Sequence, residues 1–179
     1  IGIVGRNGDG KTTLLRIMTG DLTPDDGRVT AANAASIGVL GQSHVGAAGQ
    51  SIRQFLLAGA PDHVWASVPR HRELVHGLLG GIDLDRELES LSGGERRRVG
   101  IVEVLMKDHD LVVLDEPTNH LDVEAVAFLA THLRDRTRAG LALLVVSHDR
   151  WFLDEVCTRI WEVHDGVVDA YEGGYGAFV

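Results

Sequence analysis

The sequence predicts an α/β fold in which a mainly parallel sheet is flanked by helices, and three features predict it. Ile1 to Val4 is an apolar stretch of strand length that runs into a glycine-rich turn, and Thr12 to Thr19 then follows with helical spacing. Leu111 to Leu114 and Leu141 to Val146 are unbroken apolar runs of strand length, the pattern of strands buried on both faces of a parallel sheet. Between those runs Val123, Val126, Ala127, Ala130 and Leu133 mark one face of a helix, the crossover that parallel strands require.

The remaining elements follow in chain order. Leu14, Leu15, Ile17 and Met18 give the first helix its apolar residues, and Gly20 stops it. Pro24-Asp25-Asp26-Gly27 is a turn signal ahead of Arg28 to Thr30, and with the short apolar segment Ile37 to Leu40 it suggests a small β excursion before Gly41-Gln42. From Ser51 to Leu88 the spacing turns helical, with Ile52, Phe55 and Leu56 in one segment and Leu74, Val75, Leu78 and Leu79 in another. This reads as an inserted helical subdomain. Ile160 to Val163 and Val167-Val168, around His164-Asp165-Gly166, predict a hairpin. The expected organisation is a first part of the core over 1–50, a helical subdomain over 51–90, and the rest of the core over 91–179. The chain opens directly on a strand without Met, so further N-terminal strands are expected upstream, in a longer protein.

Composition narrows the function class. The 179 residues are 44% hydrophobic, 24% charged and 5% aromatic, as in an ordinary soluble domain. Seventeen Lys and Arg against 26 Asp and Glu give a net charge of -9, a surface that repels nucleic acid and anionic membrane as a whole. No apolar run approaches the roughly 20 residues of a membrane span, and no charged signal-peptide start is present. The single cysteine, Cys157, forms neither an internal disulfide nor a zinc pair and reads as a small buried hydrophobe. A cytoplasmic location is expected.

Gly5-Arg6-Asn7-Gly8-Asp9-Gly10-Lys11-Thr12 fits G-x-x-x-x-G-K-[ST], with a strand before it and a helix after it. Its glycines let backbone N–H groups converge on phosphate, and the helix that follows presents its positive end to the same place. Lys11 is expected to reach the β and γ phosphates and Thr12 to ligate Mg²⁺; Thr13 is counted with the loop. Asp9 would repel polyphosphate if it pointed inward, so its side chain is expected to face solvent. Asp115 and Glu116 end the Leu111 run, where the first acid would hold Mg²⁺ and the second would polarise water for attack on the γ phosphate. Leu141 to Val146 delivers Ser147-His148 to the end of another strand. The carboxyl ends of parallel strands share one edge, so Lys11, Asp115, Glu116 and His148 are expected to converge there.

With Leu91-Ser92-Gly93-Gly94-Glu95 upstream of the acid pair, the chain resembles an ATP-binding-cassette nucleotide-binding domain over nearly its whole length, with five motifs in the family's order. The fold implied is that of a P-loop NTPase. The resemblance makes Gln42 the Q-loop glutamine, a metal ligand beside Thr12 and Asp115 and a catalytic residue beside Glu116 and His148. It makes Ser92, Gly93, Gly94 and Glu95 the signature, bound to the γ phosphate held by a second cassette, and Pro117 to Asp122 the D-loop. Asp115-Glu116-Pro117-Thr118-Asn119-His120-Leu121-Asp122, His148-Asp149-Arg150-Trp151-Phe152-Leu153 and Glu172-Gly173-Gly174-Tyr175 are similar to the ABC-F subfamily, whose members carry two cassettes on one chain, lack membrane domains and act mostly on ribosomes. Arg6-Asn7 and the tail are more similar to a first cassette than to a second.

What the resemblance implies is an Mg²⁺-dependent ATPase whose paired cassettes close on nucleotide and so regulate a grip on the ribosome; the alternative is a subunit that energises a membrane transporter. The helical arm of some subfamily members is not expected in the stretch between Gln42 and Leu91. DNA-binding clamps of the superfamily carry long coiled coils, and no heptads occur here. Arg96-Arg97-Arg98 are expected on an exposed helix near a dimer interface. No aromatics interleave them, which weighs against direct nucleic-acid contact.

Overall fold

The computed structural model of the chain describes residues 1–31, 35–40, 46–47, 49–57 and 67–178. Among these, β1 (Gly2–Val4), β2 (Ile37–Leu40), β3 (Leu111–Asp115), β4 (Ala142–Val146), β5 (Arg159–His164) and β6 (Val167–Glu172) form one sheet. The order across it is β2-β3-β4-β1-β5-β6, parallel except for the β5–β6 hairpin. The helices are α1 (Lys11–Thr19), α2 (Ile52–Leu57), α3 (Pro69–Leu79), α4 (Gly93–Met106), α5 (Val123–Arg138), α6 (Arg150–Val156) and the short α7 (Tyr175–Phe178).

The two apolar runs are buried on both faces because successive strand residues point to opposite sides. Val112, Leu114, Leu143 and Val145 join a cluster with α4, α5 and α6, whereas Val113, Leu144 and Val146 pack with Ile3 and with Leu15 of α1. Helices thus cover both faces. Leu74, Leu78 and Leu79 of α3 and Ile52 of α2 enter the larger cluster, so the described part of the 51–90 segment shares a core with the sheet.

Two segments differ from the sequence expectation. Arg28 to Thr30 forms no strand. Ile37–Leu40 is the edge strand of the main sheet, parallel to β3 with Ile37 opposite Leu111 and Leu40 opposite Leu114. A strand of four residues carries too little pattern to announce its partner. What seats it is close approach: a Cβ on Gly38 would lie 2.3 Å from His109 Cδ2.

Register places the functional loops side by side. Ile3 and Asp115 both pair with Val146, from the two flanks of β4. The chain therefore leaves β1 at Gly5, β3 at Glu116 and β4 at Ser147 along one edge. Helices begin at the same places, and two are capped by their own side chains: Asp122 accepts from Ala125 N–H at 2.8 Å, and Asp149 from Phe152 N–H at 3.0 Å. No helix among the described residues is long and apolar enough to cross a membrane. Cys157 is buried and free.

Helices α3 and α5 meet at Gly77, where an added Cβ would lie 2.6 Å from two ring carbons of Phe128. Alanine is the better helix former by about 1 kcal/mol, yet crowding at this contact outweighs that gain. Gly77→Ala is expected to lower unfolding free energy by about 1 kcal/mol in urea titration; a stabilised variant would show that Phe128 yields freely.

Candidate functional site

The loop from Gly5 to Gly10 owes its shape to three glycines of positive φ, Gly5, Gly8 and Gly10. Gly5, at φ 150°, lies against β5 so closely that a Cβ would stand 2.3 Å from Val163 O. Gly10, at φ 95°, precedes α1 with no side-chain cap, which leaves the first-turn N–H groups to whatever approaches them. Lys11 is only 8% exposed, and its Nζ donates to Gly5 O and Arg6 O, both at 2.8 Å. The ammonium is thus folded back on its own loop. Asp9 does not simply face solvent: its Oδ2 accepts from Arg6 N–H at 2.7 Å, because a short carboxylate in a tight loop finds a backbone donor sooner than water. Asn7, Gly8, Thr12 and Thr13 line a cleft of about 810 Å³, and Arg6 is exposed at its side.

The acids expected opposite this loop are there. Thr12 Oγ1 donates to Asp115 Oδ2 at 3.2 Å, across 103 residues of sequence. Glu116 N–H donates to Val146 O at 2.8 Å, and Glu116 takes up the left-handed conformation, φ 50°. Its Oε1 lies 3.2 Å from His148 Nε2. Lys11, Thr12, Asp115, Glu116 and His148 all line the same cleft. Ser147, 2% exposed, fastens the two loops: its Oγ stands 3.3 Å from Thr118 Oγ1 and accepts from Asp149 N–H at 3.1 Å. Asn119 and His120 also face the cleft, and His120 shares the left-handed backbone, φ 65°. Nothing in the sequence marked Ser147 as more than a neighbour of His148.

Burial raises the Glu116 pKa, with the neighbouring Asp115 charge acting in the same direction, while His148 and Lys11 oppose it. A carboxyl half-withdrawn from water beside an imidazole is suited to exchange a proton with a small molecule in the cleft. A divalent cation also fits. Thr12 and Asp115 offer hard oxygen donors on one side, the partial set that Mg²⁺ takes together with phosphate oxygens and water. Among the described residues no group of three or more His, Cys, Asp or Glu could hold a metal ion.

The second glycine pair begins α4. Ser92 Oγ accepts from Glu95 N–H at 3.2 Å while Glu95 Oε2 accepts from Ser92 N–H at 2.8 Å, a reciprocal cap. Arg86 also holds Glu95 at 2.6 Å, and the two contacts lower its pKa to about 2. The Glu95 carboxylate is thus spent within its own chain. Gly93 lines the cleft and Ser92 is exposed beside it. Gln42 lies outside the described residues.

The three arginines are not a free basic stripe. Arg96 Nη2 donates to Leu88 O at 3.3 Å, Arg98 pairs with Asp122 at 3.0 Å, and Arg97 Nη2 donates to Asp115 O and Glu116 O. The signal lay further along the helix. Val99, Gly100, Ile101 and Val102 are buried all round, so Arg97 and Arg98, half-buried in the turn before them, need partners.

The chain is similar to known proteins over most of its length. The family described as ABC transporter matches residues 1–119. The energy-dependent translational throttle protein EttA of Mycobacterium tuberculosis is 34% identical over 216 residues, which cover 100% of this chain and 38% of that protein. Human ATP-binding cassette sub-family F member 3 is 37% identical over 181 residues, 98% of this chain and 24% of its own length. This chain accordingly spans between 24% and 38% of those two relatives. Among solved structures, a complex of the archaeal ribosome recycling factor aABCE1 with the ribosomal stalk protein aP1 matches with TM-score 0.78 and 33% identity, over 90% of this chain and 31% of that one.

The electrostatics of the cleft can be checked without any ligand. In a carboxyl NMR titration Glu116 is expected to release its proton above the usual glutamate value of about 4.3. His148→Ala removes a charge that favours the ionised form, so it is expected to raise that pKa further. A Glu116 that titrates at or below the usual value would contradict this account of the cleft.

Proposed function

From the premise that this chain belongs to the ABC transporter family, we propose that it is an ATP-hydrolysing cassette of the ABC-F type, whose closure with a second cassette regulates binding to the ribosome. The observation that carries the catalytic part is the convergence of Lys11, Thr12, Asp115, Glu116 and His148 on one cleft. The ribosomal part is supported by the relatives, one titled a translational throttle protein and one a ribosome recycling factor. A cytoplasmic location fits the same reading.

Each residue then has a task. Lys11 exchanges its two loop carbonyls for phosphate oxygens, a replacement of like for like that costs little desolvation because the ammonium is already buried. The free N–H groups around Gly10 and the first turn of α1 hold the β phosphate. Thr12 and Asp115, with Gln42, would hold Mg²⁺, which would supply positive charge to offset that of the phosphates. Glu116 takes the proton of the attacking water, and its raised pKa brings it closer to the working pH of a general base. His148, 3.2 Å away, holds the Glu116 carboxylate and lines the cleft that would receive the γ phosphate. Ser92 and Gly93, exposed at the start of a 14-residue helix, and the half-buried Gly94 after them grip the γ phosphate of ATP bound on the second cassette. One cassette alone binds ATP but cleaves it poorly.

In the full-length protein Glu116→Gln is expected to keep ATP binding and to slow hydrolysis by about 10² or more. Trapped with ATP, that variant is expected to sediment with ribosomes. Unchanged turnover would remove Glu116 from its role, and sedimentation with membranes instead would favour a transporter subunit.

A further inference from the structure

We propose that Arg97 is a positioning residue that holds Glu116 in its working backbone conformation and couples it to the helix start at Ser92, Gly93 and Gly94. The proposal rests on the reading of Glu116 as the base. Arg97 Nη2 donates both to Asp115 O and to Glu116 O, the latter at 3.3 Å. Those two carbonyls flank the Glu116 α-carbon. In extended backbone successive carbonyls point to opposite sides, whereas in helical conformations of either hand they point the same way. One nitrogen that serves both therefore selects a turned Glu116, and the residue has φ 50°. A non-glycine residue in that region is strained and persists only where its surroundings over-determine it. Glu116 N–H, tied to Val146 O at 2.8 Å, supplies the other fixed point.

Arg97 is placed at a cost that a solubilising surface arginine does not bear. It is half-buried, and its Nε is buried without a hydrogen-bond partner. Desolvation lowers its pKa, offset by the charges of Asp115 and Glu116. These two carboxylates are its counter-ions although its hydrogen bonds go to their backbone.

The same helical turn is fastened to the segment after β3 at two other points. Arg98 pairs with Asp122 at 3.0 Å, and a Cβ on Gly94 would lie 3.1 Å from His120 Cβ. Gly94 and Arg97 are one turn apart on α4. A displacement of the exposed helix start, such as phosphate on a second cassette would impose, is therefore delivered to the carbonyls on either side of Glu116. The two nucleotide sites of a closed pair would be coupled through this guanidinium.

The test uses the full-length protein with Arg97→Gln and Arg97→Lys, and measures kcat for ATP, equilibrium affinity for a non-hydrolysable ATP analogue and thermal unfolding. Arg97→Gln is expected to lower kcat about tenfold or more, as a small misplacement of a catalytic group does, with analogue affinity within about twofold. Arg97→Lys keeps the charge but not the planar donor fork, so it is expected to restore only part of kcat. A folded Arg97→Gln protein with wild-type kcat would overturn the proposal, as would a loss of affinity that matches the loss of turnover. If Arg97→Gln fails to fold, wild-type kcat in Arg97→Lys overturns it and a partial loss of kcat at unchanged analogue affinity supports it. Wild-type protein that does not hydrolyse ATP, or does so equally well as Glu116→Gln, would instead remove the functional reading and this inference with it.

Discussion

A hydroxyl on the first helix and a carboxylate 103 residues later meet at 3.2 Å, and the remaining geometry of the cleft depends on that meeting. Thr12 and Asp115 belong to elements that are not neighbours in the sheet, since β4 lies between β1 and β3. Their contact is possible because Ile3 and Asp115 share one level on β4, opposite Val146. A slip of one residue in either pairing would carry the strand's side chains to the other face and separate the pair. Both faces of β3 and β4 are close-packed, so a slip would have to repack two cores at once. Stability and function are thus linked through register, with the buried valines and leucines acting on the site at a distance.

Around that fixed pair the chain accumulates local strain and local desolvation, and offsets each with specific bonds. Glu116 and His120 stand in left-handed backbone, and Lys11 and Ser147 are buried polar residues. Ser147 joins the loops after β3 and β4, Arg97 holds the carbonyls around Glu116, and the Lys11 ammonium is satisfied by two loop carbonyls. A pocket that must receive a highly charged ligand keeps its own charges hydrogen-bonded until the ligand replaces those partners.

Much of this was legible in the sequence because the relevant signals are strong and local. The phosphate loop is a fixed string between a strand and a helix, the two central strands are unbroken apolar runs, and the acids and His148 sit at their ends. Edge strand β2 was less legible, since four residues carry too little pattern to name a partner across the chain. Charge alone points Asp9 to solvent, and the Arg6 amide three residues back in the loop matters more. Arg97 was read as one of three like residues, whereas its role follows from the buried turn after it and from a backbone conformation at Glu116 that no propensity foretells. Chain pairing and partners lie outside a single cassette and come only by likeness to longer proteins.

The central claim is that one edge of the sheet gathers triphosphate and a divalent ion together. Mn²⁺ in place of Mg²⁺, bound with a non-hydrolysable ATP analogue to the full-length protein, reports this through ³¹P hyperfine coupling in electron spin echo spectra. The account predicts phosphate coupling that Asp115→Asn removes together with tight Mn²⁺ binding. Mn²⁺ bound without phosphate coupling, or coupling unchanged in Asp115→Asn, would contradict it.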